Sequence, residues 1–302
     1  MRPWIQYFVV LALAPLLPGI INRVKALFAG RRGQPLLQLY YDLWKLLHKT
    51  PVYSRTTTWI FRAGPLAGLC ALLTALAVLP FAGRQTLVSF DGDFLLLAYL
   101  LALTRFAAAA AALDTGSAFE GMGASREVQF AVFAEPALFL SLAALSRATG
   151  AQSLTGVFLH LTPASWQAAA PVLALVTVAL FVVLLAENCR VPADDPNTHL
   201  ELTMVHEVMV LDHSGPELAC ILYAASLKLW LFGALIACAV LPRHTGSWFY
   251  DGAAFLLMMF ALAAAVGAVE SAMARLRLFK VPYLLMGGLI FSVLALLFQT
   301  GR

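Results

Sequence analysis

Ala168-Ala-Ala-Pro-Val-Leu-Ala-Leu-Val-Thr-Val-Ala-Leu-Phe-Val-Val-Leu-Leu-Ala-Glu187 carries no charge until its last residue. It is as long as the roughly 20 residues a helix needs to cross a hydrocarbon core of about 30 Å. Directly after it comes Glu187-Asn-Cys-Arg-Val-Pro-Ala-Asp-Asp-Pro-Asn-Thr-His-Leu-Glu-Leu-Thr-Met-Val-His-Glu-Val-Met-Val-Leu-Asp-His-Ser-Gly-Pro-Glu217. Ends included, that stretch holds seven of the chain's sixteen carboxylates and three of its six histidines. Anchoring in a bilayer needs none of these groups, so an ionisable island beside an apolar span calls for a chemical explanation.

The same pattern of long apolar runs bounded by charge, Pro or Gly recurs along the chain. Spans are expected at about 4–27, 64–82, 94–113, 127–148, 168–187, 216–241, 252–274 and 283–300. Composition agrees: of 302 residues 61% are hydrophobic and 12% charged, mean hydropathy is +0.83, and a soluble chain would carry about 25% charged residues. The expected fold class is therefore all-α, a polytopic membrane protein with about eight transmembrane helices, forming one integral membrane domain over 1–302. Met1 to Ile21 has the outline of a signal peptide, but the nominal cleavage tripeptide Ala12-Leu13-Ala14 lies inside the apolar run, so the segment is expected to stay as the first span.

Lys and Arg concentrate in cytoplasmic loops. Thirteen fall in the connections after the first, third, fifth and seventh spans and five on the other side, while Arg105 and Lys228 lie within spans. This places both termini outside and the polar loop, about 187–217, in the cytoplasm. The basic residues are scattered among apolar spans, so the net charge of +4 does not point to nucleic acid. Between the first two spans, about 35–49 is too short to cross the bilayer. Gln38, Asp42, Lys45 and Lys49 make one polar stripe there on a helix otherwise coated with Leu, Tyr and Trp, as in an amphipathic helix lying in the cytoplasmic-side interface or docked on its own protein.

Metal and nucleotide chemistry find little support. The four cysteines show no CxxC pairing, and His206-Glu-Val-Met-Val210 lacks the second histidine of a zinc site. His199, His206 and His213 recur every seven residues, about 10.5 Å apart on a straight helix and too far for two of them to share one ion. The glycine-rich Asp114 to Arg126 segment lacks the Lys-Ser/Thr of a phosphate-binding loop. Intramembrane charge is the sharper signal. Glu135, expected about 13 Å into its span, is a candidate proton carrier, as are Glu187, Lys228 and Glu270; the competing reading pairs these acids with Arg105 or Lys228 merely to hold helices together.

Asp114-Thr-Gly-Ser...Gly-Met-Gly-Ala-Ser-Arg-Glu127, Ala186-Glu-Asn-Cys-Arg-Val-Pro...His-Leu-Glu-Leu-Thr-Met-Val-His-Glu207 and Leu211-Asp-His-Ser-Gly-Pro216 resemble the family of formate hydrogenlyase subunit 4 and hydrogenase-4 component C, which is homologous to subunit 1 of respiratory complex I. The likeness extends over essentially the whole chain. It implies a non-catalytic, energy-coupling anchor in the bacterial or archaeal cytoplasmic membrane, multi-pass in the lipid bilayer. Its implied partners are nickel-iron hydrogenase large and small subunits, iron-sulfur proteins and antiporter-like membrane subunits, with the nickel-iron centre and iron-sulfur clusters in those partners and no cofactor on this chain. By position it adds Arg126, Arg190, Glu201 and Glu207 to the proton-transfer candidates. It also makes Asp114, Asp194, Asp195, His199, His206, Asp212 and His213 candidates for docking the redox arm.

Two departures from the complex I pattern matter. Where complex I subunits read Pro-Phe-Asp-Leu-Pro-Glu-Gly-Glu in the loop that encloses the quinone, this chain reads Pro192-Ala-Asp-Asp-Pro-Asn-Thr-His. Ala224 replaces a glutamate, and Lys228 lies one turn later. A quinone-reactive subunit and an independent ion transporter are the alternative readings; the second expects paired, interrupted spans from inverted repeats, which are not seen.

Overall fold

The computed structural model describes residues 3–82, 85–194, 205–241 and 247–300, and among these every regular element is helical. The first span is broken. α1 (Pro3–Leu13) and α2 (Leu16–Phe28) meet at 40°, at Ala14-Pro15, where the proline has no N–H for the helical ladder and its ring crowds the preceding turn. The amphipathic stretch expected at 35–49 forms a helix, α3 (Gln38–Leu47). Its polar stripe is tied by a 2.9 Å bond from Gln38 Nε2 to Asp42, and Tyr41, Trp44 and Leu47 are left exposed.

The remaining spans are α4 (Trp59–Val78), α5 (Asp93–Asp114), α6 (Ala118–Thr149), α8 (Pro163–Glu187), α10 (Gly215–Val240), α11 (Trp248–Ala272) and α12 (Val281–Thr300), with short α7 (Leu154–His160) and α9 (His206–Met209) between them. Among the described residues seven helices are long and apolar enough to cross a membrane, or eight if the bent α1–α2 pair is one span. The fourth span starts earlier than its apolar run: α6 has 32 residues, about 48 Å at 1.5 Å per residue, so it outruns the hydrocarbon core. Helix continues through Glu120, Arg126 and Glu127 because the acid nearest its start favours the positive end of the helix dipole. α8 begins at Pro163, with Thr162 and Ser165 forming a capping box and a kink at Ala169 just ahead of Pro171.

Association of these helices rests on close approach. Gly64 and Gly68, a small-xxx-small pair on α4, face Ala107, Ala111 and Thr104 of α5; a Cβ added at Gly64 would stand 2.7 Å from that of Ala111. α10 is the most enclosed span, with Trp230 and Phe232 fully buried. Asp114 ends α5 and caps α4, accepting bonds from Thr58 N at 2.7 Å, Thr58 Oγ1 at 2.8 Å and Phe61 N at 3.2 Å. These contacts bring the middle of α5, the first half of α6, the end of α8 and the middle of α10 to one place.

Candidate functional site

Arg105, projecting from α5 into that junction, is the hub. Its two terminal nitrogens bond Glu135 of α6 and Glu187 at the end of α8, and its Nε lies 3.5 Å from Glu127 of α6. Lys228 on α10 completes the group, its Nζ 2.7 Å from the other Glu187 oxygen. A guanidinium suits the position because its planar fork can face several carboxylates at once. The cluster holds three carboxylates and two cations, so when all are ionised it carries one excess negative charge. Glu127 and Glu187 lie inside with the two cations, so the excess falls on the partly exposed Glu135 side of the cluster, and taking up one proton removes it.

A second cluster has the opposite excess. Glu270, in the last turn of α11, has a fully enclosed side chain and two cationic neighbours, Lys25 of α2 at 2.8 Å and Arg190 at 3.4 Å. In a third, Asp194 pairs with Arg275 at 2.6 Å and accepts the Val205 amide at 3.2 Å. Glu187, Arg190 and Asp194 belong to three different clusters yet lie within one stretch of eight residues. The first turns of the polar loop are thus a strap that joins α5, α6, α8 and α10 to α2, α11 and the segment after α11.

A cavity of about 100 Å³ opens beside the first cluster. Arg105, Glu127, Glu187, Lys228, His206 and His213 give it a polar side; Leu72, Ile221 and Ala224 contribute to an apolar one. Small-molecule sites usually run from about 300 to 1,000 Å³, and a water needs about 10–15 Å³ of such space plus polar partners. The cavity therefore has the size and lining for a few waters. His213 is buried and stacked on Phe61, with ring centroids 3.9 Å apart, and lies 3.6 Å from Glu217, which also accepts the Tyr53 hydroxyl at 2.6 Å. Burial lowers the pKa of both His206 and His213, Glu217 partly offsetting it for His213. Burial also pushes the Cys189 thiol up.

The structure brings Glu135, Glu187 and Lys228 together and puts Glu270 and Arg190 in the neighbouring cluster. Glu135 differs from expectation in its surroundings: its side chain is 47% exposed on the flank of α6, because Arg105 reaches it from one side only. Arg126 and Glu207 are partly buried on α6 and α9. Among the docking candidates Asp212 is exposed, whereas Asp114, Asp194 and His213 are engaged inside the protein. The three histidines do not share one straight helix, since His206 is on α9 and His213 in the turn before α10. Asp195, His199 and Glu201 lie outside the described residues. No group of three or more His, Cys, Asp or Glu suited to a metal ion occurs among the described residues.

Sequence reasoning missed Lys25 as a network member, counted Glu127 among the intramembrane charges without giving it a role, and left Arg105 as a mere counter-charge. The signal for Arg105 was its place within a span; Lys25 was hidden among the cations that set orientation.

The chain is 33% identical over 302 residues to formate hydrogenlyase subunit 4 of Escherichia coli (strain K12), covering 97% of this chain and 96% of that protein. It is 31% identical over 237 residues to hydrogenase-4 component C of the same organism, covering 78% of this chain and 74% of the relative. Its fold matches a chain of the membrane-bound sulfane sulfur reductase, an archaeal respiratory membrane complex, with a TM-score of 0.83 at 19% identity, covering 99% of this chain and 98% of the other. The model of the NADH dehydrogenase family matches residues 3–301, and the chain belongs to that family as a member resembling subunit 1 of complex I.

Proposed function

We propose that this chain is the membrane-anchoring, energy-coupling subunit of a membrane-bound nickel-iron hydrogenase complex of the formate hydrogenlyase type. Alignment with formate hydrogenlyase subunit 4 along nearly the whole of both chains supports the assembly. On this reading the partners are hydrogenase large and small subunits and iron-sulfur proteins on the cytoplasmic side, where the nickel-iron centre and clusters reside, and antiporter-like subunits within the membrane. The chain sits in a bacterial or archaeal cytoplasmic membrane with both termini outside, and holds no cofactor of its own.

The observation that carries the coupling role is the first ion cluster, with its excess carboxylate beside a water-sized cavity. A redox change in the arm alters the field or position of the strap from Glu187 to Asp194. A proton arriving from the cavity side neutralises one carboxylate of the cluster, which lets the cations tighten on the other two, and the reverse change releases the proton. Glu135, half exposed on the flank of α6, is the member placed to pass charge to a neighbouring membrane subunit.

The test uses inside-out membrane vesicles of a strain carrying the chromosomally tagged subunit. Glu135→Gln and Lys228→Ala should leave assembly and hydrogen evolution with soluble dyes intact while the coupled ion gradient falls. An unchanged gradient in both variants contradicts the coupling role; absence of hydrogenase subunits from the purified complex contradicts the assembly.

A further inference from the structure

α11 holds Glu270 of the second ion cluster in its last turn and, at its other end, one wall of an apolar cavity of about 210 Å³. Trp248 and Glu270 are 22 residues apart, about 33 Å along a helix, so the two features sit at opposite faces of a bilayer. Val9 of α1, Phe81 beyond the end of α4, and Trp248, Gly252 and Leu256 of α11 line the cavity. Phe249 and Ala253, one turn apart on α11, also line it and are exposed on the flank of the helix bundle. The cavity therefore opens laterally, toward whatever surrounds the spans.

One amide side chain lines it. Gln6 of α1 is 5% exposed and brings its amide to the cavity wall. An amide in an otherwise apolar wall carries a desolvation cost that a ligand acceptor would offset. Its surroundings define the depth: Trp4, Trp248 and Tyr250 are all exposed nearby in sequence, as in the aromatic belt at the headgroup level of a membrane. A ligand for this place has a hydrogen-bond acceptor at interface depth and a hydrocarbon tail below it.

The geometry points to a glycerophospholipid site, with an ester carbonyl on the Gln6 amide and the upper acyl chain in the groove between α1 and α11. A transmembrane helix of a partner fits less well, because its backbone acceptors are already bonded within the helix and offer the Gln6 amide no bond. The site is separate from the ion clusters, and its occupant seals α1, the outer half of the broken first span, against α11.

The test takes the purified complex in nanodiscs of phosphatidylethanolamine and phosphatidylglycerol doped with phosphatidylethanolamine bearing a diazirine near the acyl ester. Irradiation should label peptides of α1 and the first turns of α11. Gln6→Leu should lower that labelling several-fold. Gly252→Leu should abolish it: a Cβ there meets only Phe81 at 3.8 Å, so the larger side chain projects into open space without displacing backbone. Thermal melting of the same samples shows that both variants are folded. Labelling of these segments that is unchanged in both variants overturns the site, as does capture of a polypeptide instead of lipid by a photoreactive residue at Ala253 in native membranes.

Discussion

The cluster around Arg105 and the one around Glu270 lie at the two ends of a three-residue step in the chain, Glu187 to Arg190, and are built from the same residue types. Their charge balance is opposite. Around Arg105 three carboxylates share two cations, so one proton more makes the group neutral. Around Glu270 two cations share one carboxylate, and one proton more would deepen the excess. A buried ion pair contributes little net stability by itself, because desolvation consumes most of the attraction. What distinguishes the clusters is charge balance, and on the proposed function the first exchanges a proton while the second clamps α2, α11 and the strap together. Glu270, a proton-transfer candidate on sequence grounds, sits in the cluster whose excess is positive.

Breaking the comparison at its strongest point means removing the hub. Arg105→Ala leaves Glu127 and Glu187 buried with Lys228 still paired to Glu187, and should cost about 3–5 kcal/mol and prevent assembly, read as loss of the complex from solubilised membranes. Glu270→Ala strands Lys25 and Arg190. Lys25 has a side chain 26% exposed and can turn to water, so the cost should be smaller, about 1.5–3 kcal/mol by thermal unfolding, with residual coupling intact in the protein that assembles. Glu135→Gln removes a half-exposed partner and should cost under about 1 kcal/mol while lowering the ion gradient, the inverse of the Glu270 result.

The smallest effect concerns pH. Burial lowers the His213 pKa, so the unfolded chain binds the proton more readily, and this part of stability falls as pH drops below about 6.5 until the folded histidine itself protonates. His206 adds to the same trend. His213→Phe, which preserves stacking on Phe61, should flatten the fall of the melting temperature below about pH 6.5.

The spans were legible because a helix in lipid satisfies its own backbone and shows only its hydrophobic length. Boundaries were harder to read where helix and membrane end at different residues: α6 runs on from Thr149 back to Ala118, well before its apolar stretch. The bend at Ala14-Pro15 was visible in the proline but was absorbed by a continuous apolar run. Glu135, Glu187 and Lys228 stood out as charges in apolar surroundings. Their meeting on Arg105 was not readable, since it depends on how α4 and α5 approach through Gly64 and Gly68 and on where the strap carries Arg190. The seven-residue spacing of His206 and His213 does not mark one helix face, because Val210 to Ser214 separate α9 from α10.

Redox-difference infrared spectroscopy of the whole complex tests most directly whether the Arg105 cluster exchanges a proton and the Glu270 cluster does not. The oxidised-minus-reduced spectrum should contain a carboxylic-acid carbonyl band that is lost or shifted in Glu135→Gln and Lys228→Ala and retained in Glu270→Gln. A band that persists unaltered in both variants of the Arg105 cluster, or one that disappears only in Glu270→Gln, would contradict the assignment.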